Sequence, residues 1–170
     1  MTPQLVIHHL AEILRSLPDF GEDDLYAAMQ AAGIPDKDAD RAYKFTQIAC
    51  GRLLLDGIVG RFSDEYFWLD GSGEIVASGR LQDEPFFAAA TQLVSETPEP
   101  WIARLGSMSA DVQTVNDMLQ SGSEPGDLQT GPIVLFVENP TAAGMEKAHR
   151  LIAGQLKAGG QKKPWWRFWT

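Results

Sequence analysis

One cysteine, three histidines and the absence of a long apolar run are the first limits this 170-residue chain places on its own chemistry. A single thiol, Cys50, cannot close an internal disulfide, which fits a reducing compartment. Its neighbours Ile48, Ala49, Leu53 and Leu54 are apolar, so it reads as a small buried hydrophobe and not as a nucleophile. His8 and His9 are adjacent on a helical pattern, about 100° apart, and cannot easily face one ion; His149 is distant in sequence. No stretch approaches the ~18–20 apolar residues of a membrane span, and the opening MTPQLVIHH lacks the basic n-region of a signal peptide. The expectation is a cytoplasmic chain with no metal and no cofactor.

Several catalytic signatures are missing too. There is no G-x-x-x-x-G-K-[ST] loop and no G-x-G-x-x-G turn between a strand and a helix. Gly71-Ser72-Gly73 lacks the strand-turn-helix setting of a nucleophile elbow. Between Asp64 and Glu74, a calcium loop would need oxygen ligands where Tyr66, Phe67, Trp68 and Leu69 stand.

What is present is an ordinary core and an excess of acid. The chain is 44% hydrophobic and 22% charged, which suits a compact fold and excludes collagen-like, disordered and disulfide-scaffold classes. Fourteen Lys+Arg stand against 23 Asp+Glu, a net charge of −9. Four of the basic residues, Lys157, Lys162, Lys163 and Arg167, follow residue 156 with no acid among them, so the body before them carries −13. The acidic runs Glu22-Asp23-Asp24, Asp64-Glu65 and Asp83-Glu84 sit at element boundaries, and for the first and third a helix N-terminus favours negative charge without any catalytic role.

Hydrophobic periodicity predicts helices over 5–17, with Leu5, His8 or His9, Ile13 and Leu17 on one face, over residues from Asp23 to Gly33, and over 37–56 with Ala42, Phe45, Ala49 and Leu53 buried. The period then shortens towards 2. Segments 58–62, 65–69 and 74–78 read as strands of an antiparallel meander, separated by Ser63-Asp64 and Asp70-Gly71-Ser72-Gly73. Further on come a helix at 85–96, a short turn or strand at 101–105, a helix at 109–120 capped by Ser109, and a Gly/Ser/Pro-rich loop at 121–131. An apolar strand at 133–137 and a helix at 140–158, opened by Asn139-Pro140, complete the pattern. The expected fold is α+β and mainly helical: a three-helix and β-hairpin module at 1–82 with winged-helix-like element order, an α+β part at 83–158, and a tail at 159–170. Element order alone is shared by unrelated proteins.

Two features suggest contact with something else. Lys37, Arg41, Lys44 and Arg52 fall within an arc of about 80° on the third helix, a basic stripe that in a winged helix would meet phosphates. The tail QKKPWWRFWT gathers Trp165, Trp166, Arg167, Phe168 and Trp169, a density of aromatics and arginine typical of protein interfaces. The expected function is a non-enzymatic cytoplasmic interaction module, an adaptor or an immunity or inhibitor type, whose acidic surface suits a basic protein partner and whose tail docks. The alternatives are a winged-helix DNA-binding regulator and a peripheral membrane protein held by the tail. The −13 body opposes both polyanions.

Overall fold

The computed structural model describes residues 1–17, 19–96, 99–125 and 128–158, and of 155–158 the backbone alone. It is α+β with mainly helical content, seven helices and a three-stranded sheet among the described residues. The chain forms two compact units, each made of two separated stretches. The first joins Met1–Leu54 to Gln82–Ser109; the second joins Leu55–Leu81 to the chain from Ala110 onward. The chain crosses between the units after Leu54, after Leu81 and after Ser109.

The first unit is all helix. Thr2 caps α1 (Pro3–Ser16), its hydroxyl accepting from the Leu5 N–H at 3.3 Å, with Pro3 at a position that has no N–H to satisfy. The buried face of α1 is Val6, Ile7, Leu10, Ala11 and Leu14. The face expected from Leu5 and His8 is turned outward, because the competing stripe carries more apolar surface at equally good spacing. In α2 (Glu22–Ala31), Asp24 reaches back to the Gly21 N–H at 3.4 Å, and Leu25 and Met29 are buried.

Helix α3 (Asp36–Leu54) organises this unit, packing on α1, α2, α4 (Pro85–Glu96) and α5 (Pro100–Ser107). Its residues from Phe45 to Gly51 are buried on every side, including Thr46 and Gln47, so no single stripe describes it. Leu53, expected inside, is exposed. The 101–105 segment, expected as a turn or strand, is the helix α5: Glu99 takes extended N-cap geometry, Pro100 starts the turn, and Trp101, Ile102 and Leu105 make one apolar face too short to show a period. Helix α5 meets α3 at Gly106, where a Cβ would lie 2.9 Å from the Cys50 carbonyl and 2.8 Å from Leu54 Cδ1.

In the second unit β1 (Glu65–Leu69) pairs antiparallel with β2 (Ile75–Arg80) and parallel with β3 (Ile133–Phe136), giving the order β2-β1-β3. Segment 58–62 is not a meander strand. It makes one bridge, Arg61 to Gln129, while Gly60 N–H donates to Leu128 O at 2.9 Å and Thr130 N–H to Arg61 O at 3.0 Å. The loop-like stretch 121–131 therefore ends in an anchored piece, with Leu128 buried beside Leu55, Val59 and two valines of α6 (Ala110–Gln120), Val112 and Val115. A second cluster packs α7 (Ala142–Ala158) on the sheet through Leu69, Val134, Ala148 and Ile152.

The hairpin turn fastens α7. Asp70 Oδ1 accepts from the Ser72 hydroxyl (2.6 Å), the Ser72 N–H (2.9 Å) and the Glu74 N–H (3.0 Å), which holds its carboxyl below the usual range. Thr141, not Asn139-Pro140, caps α7: its hydroxyl accepts from Gly144 N–H at 3.0 Å and donates to Gly71 O at 3.0 Å, and Asn139 instead turns the chain with φ +32°. Gly73 has φ +86°, and a Cβ there would lie 3.0 Å from Gly144 Cα. Helices α1–α3 and the hairpin belong to different units, and β1 gains a parallel partner from a later stretch of chain.

Gly106→Ala should destabilise the protein by about 1–3 kcal/mol, because backbone must move to admit the methyl. At exposed Gly154 in α7 nothing lies within 4 Å of an added Cβ, so Gly154→Ala should stabilise by about 0.5–1 kcal/mol. Urea unfolding of both variants checks the opposite signs.

Candidate functional site

Of the four cations in the expected stripe, Lys37 is exposed, and Arg41, Lys44 and Arg52 are half-buried and engaged within the first unit. Arg41 Nη1 lies 2.9 Å from Oε2 of Glu84, whose carboxylate is buried and whose main-chain carbonyl accepts the Ala88 N–H in the first turn of α4. Lys44 Nζ is 3.6 Å from Glu22 Oε1 and 5.2 Å from the Tyr43 ring centroid. The Arg52 guanidinium sits 5.8 Å from the ring of Phe87. The spacing does bring the four onto α3, and the acidic runs in the first turn of α2 and just before α4 supply counterions to two of them. Trp165, Trp166, Arg167, Phe168 and Trp169 lie outside the described residues.

Cys50 is fully buried in α3, and burial pushes its thiol up to about 12. Tyr43 is likewise pushed up to about 12, by burial first and by Glu22 second. Tyr26 is raised as well, by burial and then by its hydrogen bond to Asp40. His8 and His9 share Glu12, at 3.3 Å and 3.6 Å, on the exposed side of α1. Among the described residues no group of three His, Cys, Asp or Glu side chains is placed to hold a metal ion, and no helix is long and apolar enough to cross a membrane.

Two other places offer a surface. In the first unit a cleft of about 290 Å³ opens where α1 and the start of α5 converge, floored by Leu14, Phe20 and Trp101 and walled by Arg15, Glu99 and Arg104. Both Glu99 carboxylate oxygens accept from Arg15 Nε at 2.8 Å, and one also accepts from Trp101 Nε1 at 2.8 Å. The Arg104 guanidinium stacks on Phe20 at 4.3 Å and donates to the Phe20 carbonyl at 3.2 Å. Sequence reasoning missed this group. Arg15 and Glu99 are 84 residues apart, and neither stands in a motif.

The second place is β2, at the edge of the sheet in the second unit. It is exposed along nearly its whole length, with Ile75 at 52% and Val76 at 58%. Its ends carry charge: Arg80 Nε is 2.8 Å from Asp64, and Glu74 pairs with Lys147. Segment 74–78 was legible as a strand from its composition, but its position at an edge depends on β3, which arrives from 64 residues beyond Leu69 and takes the other side of β1.

Cys50 should resist thiol reagents at pH 8 in the native state, since a thiol with its pKa near 12 is protonated there, and should react fully in denaturant; native labelling at the denatured rate would contradict the burial. Glu84→Ala should cost about 1.5–3 kcal/mol in urea unfolding, because it removes a charge-assisted hydrogen bond made by a buried carboxylate to Arg41. Glu22→Ala, which removes an exposed carboxylate 3.6 Å from Lys44, should cost less than about 1 kcal/mol. In comparisons with protein-family models, curated proteins and solved structures, none matches this chain.

Proposed function

We propose that this protein is a non-enzymatic cytoplasmic interaction module, of adaptor or inhibitor type, that holds another protein through the open edge of β2. The observation that carries this is the exposed pair Ile75 and Val76 on an edge strand. Adjacent strand residues point to opposite faces, so apolar surface is offered on both sides of a backbone that can add a further strand. Edge strands of proteins that stay alone are usually blunted by charge, proline or a covering element. Here Arg80 and Glu74 stand only at the ends.

Charge supports the choice of partner. The −13 body favours approach of a basic protein over a nucleic acid or an anionic leaflet. The Trp-rich tail 161–170 adds aromatic anchors of the kind that dominate interface energies. A DNA-binding role for α3 has less support, since Arg41 and Lys44 are matched by Glu84 and Glu22 and Arg52 lies over Phe87.

A photo-crosslinking residue at position 76, used in the native host, should give a discrete adduct with another protein that a probe at exposed Gln113 does not give. Val76→Lys and deletion of 161–170 should each reduce it. No adduct above the Gln113 control, or duplex DNA retention at moderate salt that Arg41→Glu with Lys44→Glu abolishes, would overturn the proposal in favour of the alternatives.

A further inference from the structure

The cleft between α1 and α5 has features that packing of the first unit does not require. Its floor is apolar and partly aromatic, from Leu14, Phe20 and Trp101. At about 290 Å³ it stands at the lower end of small-molecule sites, about 300–1,000 Å³, so it has room for one ring with a short substituent. Its polar wall is unevenly used. Arg15 gives Glu99 only its Nε, and Nη1 and Nη2 hold no partner among the described residues. A guanidinium carries five N–H donors, and its paired terminal N–H groups match the two oxygens of a carboxylate.

Charge narrows the ligand. Arg15 and Arg104 bring two positive charges to the wall, against Glu99 on Arg15 and Asp19 at 3.7 Å from Arg104 Nη1. Asp19 is fully exposed and does not line the cleft, so the lining sets two guanidinium groups against one carboxylate, an excess of one positive charge that a single negative charge neutralises and two exceed. A phosphate dianion would meet Glu99 beside the same guanidinium that it needs.

We propose that this cleft is a binding site for a small ring bearing one carboxylate, the ring seated between Phe20 and Trp101 and the carboxylate on the terminal nitrogens of Arg15. Glu99 tunes the site: it orients Arg15 and, by its own charge, weakens binding of the anion. The site is independent of the β2 edge and stands or falls separately from the interaction role.

Phenylacetate is the probe, followed through the Trp101 indole N–H in two-dimensional NMR of the full chain and by calorimetry. It should bind with a shift of that resonance, while phenylacetamide and phenyl phosphate bind at least about tenfold more weakly. Arg15→Gln should weaken phenylacetate by about tenfold or more. Glu99→Gln keeps an acceptor for Trp101 Nε1 but removes the competing charge, and should tighten it. A merely structural role for the pair would weaken both variants. Equal binding of phenylacetate and phenylacetamide, no binding at millimolar concentration, or weakening by Glu99→Gln overturns the proposal. Should Arg15→Gln fail to fold, the amide comparison and Glu99→Gln still decide it.

Discussion

Backbone-to-backbone contact without an intervening side chain sets the spacing inside each unit. In the first, Gly106 brings α5 against the Cys50 carbonyl of α3. Because α3 is also the element on which α1, α2 and α4 pack, its distance from α5 constrains the placement of the rest. The small residues Ala42, Ala49, Cys50 and Gly51 on α3 suit such close approach, since packed interiors leave little room to absorb an extra methyl. In the second unit the corresponding contact lies between the hairpin turn and the first turn of α7, through Gly71, Gly73 and Gly144, reinforced by Thr141 on the Gly71 carbonyl.

From that central burial follows the fate of the charges on α3. A helix enclosed by neighbours leaves its long cations only the margins of the packing, where they lie beside carboxylates and rings of adjoining elements. Arg41 on Glu84, Lys44 on Glu22 and Arg52 over Phe87 are three forms of this one outcome. Three of the four cations that share an arc on the isolated helix thus lie against neighbouring elements of the unit, and Lys37 stays exposed. The same logic accounts for the cleft, where Arg15 and Arg104 are held at the edge of an apolar floor and only part of the hydrogen-bonding capacity of Arg15 is used.

Helix boundaries were legible where first-turn signals are local, as with the acidic turn before Leu25 and Pro85, whereas the Thr2-Pro3 start of α1 lay two residues before the expected one. The strands 65–69 and 133–136 were legible by their aromatic and β-branched composition. Helix α5 was not, since eight residues give two turns and too few positions to separate periods. Segment 58–62 has strand composition yet makes only one bridge, because its apolar side chains cluster with α6 and its backbone bonds go to residues 128–130. The buried face of α1 was ambiguous because two apolar stripes compete, and only the neighbours of a helix choose between them.

The sequence by itself determined the class of fold, the acidic body with its basic aromatic tail, and the kinds of chemistry for which no motif exists, since these depend on composition and on interactions a few residues long. Tertiary structure alone decided which strand lies at an edge, that two stretches of chain far apart build each unit, and that Arg15, Glu99, Trp101 and Arg104 share one cleft. Those outcomes depend on contacts between residues tens of positions apart, whose closure is driven by burial of non-local apolar surface and leaves no periodic trace along the chain.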